Sequence, residues 1–209
     1  MKLKYWKNYK DRICREGLLK TIIYYMGSHL LPKAGFQLKY LFEYQHGFSS
    51  SQISLPLDVK FSVLHKMSDL EPEDIKALND FEGRELIDRY EMEFENNHKC
   101  AIARKEKCGL VSAGWLTPAP PQFSVDGEPS FLLRDGFTLP NMRGNGVYKG
   151  IIRTLCEYVI SSVKPDYPHI FVTSVFSNWA SIRGIEKSGF KRIGVVVVVW
   201  GRQWVHFYK

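Results

Sequence analysis

The sequence predicts a mixed α/β domain built on one central sheet and preceded by a basic helical extension. Three observations carry this reading. From Val59 onward, short β-branched or aromatic runs alternate with segments whose apolar residues recur at helical spacing. A chain of 209 residues with 44% apolar and 14% aromatic content can bury a full core and fits one domain with an extension better than two. The net charge of +7 is unevenly placed: residues 1–46 hold nine Lys/Arg against three Asp/Glu, leaving +1 for the rest.

Over residues 11–31, Ile13, Leu18, Ile22, Tyr25, Met26 and Leu30 fall at near-helical spacing, with Arg12, Arg15, Glu16 and Lys20 between them. This predicts an amphipathic helix, ended by Gly27, Pro32 and Gly35. Residues 36–44 alternate as a short strand, and the Ser-rich stretch from Gly47 to Pro56 reads as a linker, dividing the chain into residues 1–57 and 58–209. A strand over 59–65 leads to Ser68, which with Glu71 makes a candidate capping box. Ile75, Leu78 and Phe81 then mark one helix, and Leu86, Ile87, Tyr90 and Phe94 mark a second beyond Gly83. Cys100–Arg104 and Leu110–Leu116 form a hairpin, Phe131–Leu139 adds a third strand after them and is stopped by Pro140, and Tyr148, Ile151, Ile152, Leu155 and Val159 line a long helix. Ile170–Val175 is a strand, and Asn178 can cap a helix that runs to Lys187 before Gly189 closes it. Phe190–Trp200 is too apolar to face water on either side, and Gly201-Arg202 is a two-residue turn into Trp204–Tyr208.

Several classes are excluded by composition. No apolar run approaches the roughly 20 residues that span a bilayer, and charges follow the basic start where a signal peptide needs its apolar centre. Cys14, Cys100, Cys108 and Cys156, spaced 86, 8 and 48 residues apart, match no zinc or redox spacing, so free thiols in a cytoplasmic protein are expected and no metal. The basic residues 1–46 fit an anionic membrane surface at the inner leaflet better than nucleic acid, or else simply solvate a helix; equally, the extension completes the core by covering a sheet edge. Oligomeric state leaves no mark in the sequence.

The chemistry concentrates between Phe137 and Tyr148, where a strand, a turn containing Gly144 and Gly146, and a helix start follow one another. Unpaired N–H groups of a first helical turn converge on one point, and the helix dipole adds positive charge there, so this arrangement makes an anion site. Gly144 and Gly146 let a phosphate approach the backbone. A second block, Asn178-Trp179-Ala180-Ser181 followed by Glu186-Lys187-Ser188-Gly189-Phe190, lies about 32 residues downstream.

Both blocks, in this order, resemble the GNAT acyltransferases over residues 58–209. That family's pyrophosphate loop follows Arg/Gln-x-x-Gly-x-Gly/Ala, and this chain supplies Arg143, Gly146 and, at the last position, Tyr148. Asn-x-x-Ser and Glu-Lys-x-Gly-Phe match the family's later signature. The resemblance implies a mixed central sheet of the acyl-CoA N-acyltransferase type, acetyl-CoA as acyl donor and an amine as acceptor. It assigns the pyrophosphate to Arg143, Gly144, Asn145, Gly146, Val147 and Tyr148, and the pantetheine arm to the backbone of Phe137, Thr138 and Leu139 beside two splayed parallel strands. Asn178 would reach the pantetheine amides and Ser181 the thiol end. Tyr148 departs from the usual small residue and is read either as a new cofactor contact or as core; Asn178 is equally a plain helix cap.

For catalysis, an amine with a pKa of about 10 must lose a proton near neutral pH, and the departing thiolate must gain one. Asp135 is the candidate base because it shares strand parity with Leu133 and Phe137; the alternative is an exposed, solubilising carboxylate. Where many family members carry a Tyr seven residues after the Asn, this chain has Ile185, so the resemblance shifts assistance of the thiolate to Ser181, otherwise a residue satisfying local backbone. His98 and His169 show no partner in the sequence and are read as structural or exposed. The acceptor implied is an amino sugar of cell-envelope glycan synthesis, with a protein N-terminus or lysine, or a non-catalytic CoA-binding role, as alternatives.

Overall fold

The computed structural model describes residues 26, 30–48, 55–82, 84–106, 108–123, 128–162 and 168–208. In chain order these form α1 (Leu31–Lys33), β1 (Phe36–Tyr44), β2 (Val59–Leu64), α2 (Pro72–Glu82), α3 (Arg84–Glu95), β3 (Lys99–Lys105) and β4 (Gly109–Pro118). There follow β5 (Ser130–Thr138), α4 (Val147–Ser162), β6 (His169–Val175), α5 (Trp179–Glu186), β7 (Phe190–Val199) and β8 (Arg202–Phe207). The eight strands make one mixed sheet in the order β2-β3-β4-β5-β6-β1-β7-β8. Strands β2 to β5 pair antiparallel, and β5 pairs parallel with β6.

Internal contacts divide the chain into two compact units: one of Met1–Leu41, Thr173–Arg183 and Ile193–Lys209, the other of Phe42–Val172 and Gly184–Arg192. In the second, α2 and α3 close one side of the core. Leu78, Tyr90, Phe94, Ile102, Ala113 and Trp115 pack there, with Trp115 edge-on to Tyr90 and Phe94 at 4.8 and 4.9 Å between ring centroids. On α4, Ile151, Ile152, Leu155 and Val159 are buried at the 3.6-residue spacing that the sequence displays. Gly150 leaves room for the Phe61 ring, which any side chain there would strike. Cys100 and Cys156 are buried free thiols whose pKa burial pushes well above the ordinary value, and Cys108 is an exposed one.

In the first unit, β7 and β8 form a hairpin with Val199 opposite Arg202. The two turn residues are therefore Trp200 and Gly201, at φ +50° and +79°, one position earlier than the sequence reading placed them. Two left-handed residues suit the tight turn that matches strand twist. The Trp200 N–H donates to the Gly35 carbonyl at 2.7 Å, and its indole lies where a Cβ on Gly35 would come within 2.6 Å.

Other expectations are corrected in the same way. Pro32 sits inside the first turn of α1 rather than ending a helix, and Gly35, at φ +73°, makes the stop. The remainder of the helix expected over 11–31 lies outside the described residues. β1, drawn from the segment assigned to the extension, lies between β6 and β7 in the sheet. β7 is not shielded on both faces: Val197, Val198 and Val199 are half-buried. Ser68 caps nothing; Asp69 accepts the N–H groups of His65 and Lys66 in a 3₁₀ turn, and α2 starts later, at Pro72.

The start of α2 is fixed instead by Asp74, which is 1% exposed and accepts the Glu71 N–H at 2.9 Å. Its carboxylate also takes Arg104 Nε at 3.0 and 3.1 Å and Nη2 at 2.5 Å, tying α2 to β3. Asp74→Ala removes a cap and leaves Arg104 only its longer contacts to Glu71 and the Asp69 carbonyl, so it should lower the unfolding free energy by about 3 kcal/mol. Urea denaturation checks this; a loss below about 1 kcal/mol would mean that water replaces the carboxylate at no cost.

Candidate active site

The parallel pairing of β5 with β6 runs only from Ser130–His169 to Leu133–Val172. One residue later β5 slips against its other neighbour: Arg134 lies opposite Trp115 and Phe137 opposite Ala113, so β5 carries one residue more than β4 across this interval. Asp135, at φ +50°, and Gly136 occupy this bulge. A bulge leaves its extra residue out of the ladder, re-aims the side chains that follow, and recurs beside active sites.

Consequently the parity that linked Leu133, Asp135 and Phe137 does not hold. Leu133 faces α4, in a narrow recess lined also by Gly114, Gly136, Tyr148, Ile151 and Leu155, whereas Phe137 packs on the Trp115 side of the sheet. The Asp135 carboxylate is 40% exposed and paired with Arg134 Nη1 at 2.5 Å.

Past the bulge, β5 is fixed by side chains as well as by its ladder. The Ser112 hydroxyl donates to the Phe137 carbonyl at 2.5 Å and lies 2.9 Å from the Thr138 hydroxyl, while the Leu139 N–H donates to Val111 at 2.9 Å. Pro140–Met142 forms one 3₁₀ turn with Met142 buried, which anchors the loop from beneath. Arg143 Nε donates to the Thr138 carbonyl at 3.0 Å, leaving the other guanidinium N–H groups outside that bond. Arg143, Gly144 and Asn145 are exposed. A Cβ on Gly144, at φ +85°, would meet nothing within 4 Å, so the surface above it is open to a bulky anion. Gly146, at φ +80°, turns the chain into α4, whose first-turn N–H groups have no intrahelical acceptor. Val147 is buried.

Tyr148 takes the packing role. Its ring stands where a Cβ on Gly136 would come within 2.6 Å, so the glycine of the β5 bulge makes room for it, and it rests in ordinary contact distance of Gly184 in α5.

Asn178 caps α5: its Oδ1 accepts the Ser181 N–H at 3.2 Å and its carbonyl accepts the Ile182 N–H at 3.0 Å. Both Asn178 and Ser181 retain solvent exposure, and no hydrogen bond of the Ser181 hydroxyl occurs among the described residues. Ile185 is fully buried, so the position that holds a tyrosine in the resembled family belongs to the core here.

The sequence did not reveal a charged cluster on the α3 side of β5. Glu93, 5% exposed, accepts from Arg134 Nη2 and lies 2.6 Å from His98 Nδ1. Burial raises the Glu93 pKa, but hydrogen bonds and charge from Arg134 and His98 outweigh it and hold the group below the ordinary value. His169 likewise has a partner, Glu43 at 2.5 Å, and stacks on Phe171. Both histidines are structural, with partners 5 and 126 residues away in sequence.

No protein-family model matches the sequence, and no curated protein matches it. Among solved structures, a GNAT-family acetyltransferase from Colwellia psychrerythraea is similar with a TM-score of 0.56 and 14% identity, over 83% of this chain and 57% of its own. A GNAT-family protein from Novosphingobium aromaticivorans gives 0.54 and 16% over 78% and 63%. A tandem GNAT protein from the clavulanic acid biosynthesis pathway gives 0.54 and 14% over 81% and 52%. This chain thus spans between about half and two thirds of the length of these structures. Likeness at such identity establishes the fold.

Two measurements test these packing relations. Gly136→Ala should cost about 2 kcal/mol by overpacking against Tyr148, and much less in a Tyr148→Leu background; additive costs would show that the ring is not what fills the space. For Glu93 the folded pKa lies below an unfolded value of about 4.3, so its stabilisation is complete above that pH and is lost as pH falls through the folded value. The stability gap between the natural chain and Glu93→Gln should therefore be wide at pH 7 and narrow towards pH 3. A gap independent of pH would contradict this.

Proposed function

This chain has the fold of the GNAT acetyltransferases, and from that premise we propose that it transfers an acetyl or longer acyl group from CoA to a primary amine by direct attack. The observation that carries the reading is the bulged β5 strand running into an exposed Arg143-Gly144-Asn145-Gly146 turn and the N-terminus of α4. Open space above Gly144 and the N–H groups of a first helical turn fit a pyrophosphate. The resemblance adds Phe137, Thr138 and Leu139 for the pantetheine arm, Val147 and Tyr148 at the helix start, and Asn178 and Ser181 for the arm's amides and thiol end.

The CoA thioester supplies an acyl carbon activated for attack. As the amine nitrogen bonds to that carbon it sheds a proton, the C–S bond breaks, and the thiolate takes up a proton. Most of the acceleration in such a reaction comes from positioning and from fixed N–H donors. Asp135 is the candidate base, with Arg134 orienting its carboxylate. Because Ile185 is core, Ser181 or solvent must return the proton to sulfur. The acceptor we favour is an amino sugar of cell-envelope glycan synthesis.

Calorimetric titration with acetyl-CoA and free CoA tests the central claim. Saturable binding in the micromolar range is expected, weakened at least about 100-fold in the Arg143→Ala, Gly146→Trp double variant. Thiol release with amino sugars, peptides and lysine then ranks the acceptors. Absence of binding to either ligand overturns the reading, and binding without thiol release from any amine leaves a CoA-binding module.

A further inference from the structure

We propose that the β7–β8 hairpin, with exposed Met26, Leu30 and Lys33 of the segment that leads into β1, is a docking surface for an anionic lipid bilayer. Trp200 is 78% exposed, Trp204 52%, Tyr208 49% and Phe207 37%, so four aromatic residues within nine positions face solvent. β8 is the outer strand of the sheet, and only Val205 within it is partly covered. Trp204 stands on the same face as Arg202 and His206, while Phe207 stands on the opposite face, so the strand is aromatic on both sides. Such an edge invites aggregation unless something takes up its rings.

The hairpin tip is joined to the point where the N-terminal segment reaches the sheet. The Trp200 N–H donates to Gly35, its ring lies over that glycine, and Gly35 closes the turn that begins at the exposed Leu30. Exposed Met26 and Leu30 therefore belong to the same compact unit as the hairpin.

Charge follows the same division. The compact unit that holds the hairpin carries twelve Lys/Arg and two Asp/Glu, and the other carries seventeen and twenty. The first is thus strongly cationic and the second slightly acidic. Lys33 and Arg202, both exposed, lie in the same unit as the exposed rings. Trp and Tyr favour the headgroup level of a bilayer, and nearby Lys and Arg add attraction to anionic lipids. Met26 and Leu30 favour this occupant over a nucleic acid, since aliphatic side chains enter the acyl boundary but offer no face for stacking on bases.

The test uses the full chain without acyl-CoA, so its outcome is separate from the transferase reading. Flotation is measured with vesicles of phosphatidylcholine alone and of phosphatidylcholine with 30% phosphatidylglycerol, at low and high salt. The natural chain should float with the anionic vesicles and be released by salt. Trp204→Ser with Tyr208→Ser should reduce binding at least tenfold, and so should Arg202→Glu with Lys33→Glu, whose exposed positions guard against loss of folding. The proposal is overturned by equal flotation with neutral and anionic vesicles, or by undiminished binding in both variants. It is equally overturned if the chain ignores vesicles while binding single-stranded RNA, or while forming a dimer that the hairpin variants dissolve.

Discussion

One extra residue in β5 governs the arrangement of the candidate site. Up to Leu133 the strand is held on both sides, and Arg134 keeps the same register opposite Trp115; past it the strand slips by one against β4. The slip puts Phe137 on the same face as Arg134, covered by α3, while Leu133 lies on the face covered by α4. It also creates the slot at Gly136 into which Tyr148 fits, so the loop between β5 and α4 is packed against the irregularity that precedes it. Without the slip, the Tyr148 slot and the orientation of the chain into Arg143 would each lose their basis.

Much of this was readable in the sequence. The periodicity of Tyr148, Ile151, Ile152, Leu155 and Val159 gave α4, and the glycines between Pro140 and Val147 marked the turn before it. Mixed α/β architecture followed from the alternation of periods. The bulge was not readable, because a one-residue slip changes no composition; a glycine in a strand pattern was its only trace. At α2, Ser68 with Glu71 and Glu71 with Asp74 present the same three-residue spacing, and Pro72 at the first helical position was the signal that distinguishes them. Partners such as Glu43 for His169 depend on which strands become neighbours, and local spacing cannot report that.

The large ring at Tyr148 is compatible with a helix start at Val147 because a glycine elsewhere accommodates it: Gly136, twelve residues earlier, leaves the space it fills. The pattern is therefore better judged by the surface that its backbone presents than by its letters. Arg143 to Asn145 remain exposed and Val147 remains buried, which keeps the N-terminus of α4 accessible from outside.

The place of β1 in the sheet has a consequence for how the chain reaches its native state. Its neighbours β6 and β7 are synthesised much later, β6 beginning about 125 residues after β1 ends, so this strand waits for its pairing. During that wait the strand carrying Leu41 and Phe42, fully covered in the finished fold, lacks both of its sheet neighbours. The hairpin and helices of the middle segment can assemble from nearby contacts meanwhile. Closure of the sheet around β1 is then a late, long-range event, and a nascent chain stalled before it would present that strand to chaperones or to other copies of itself.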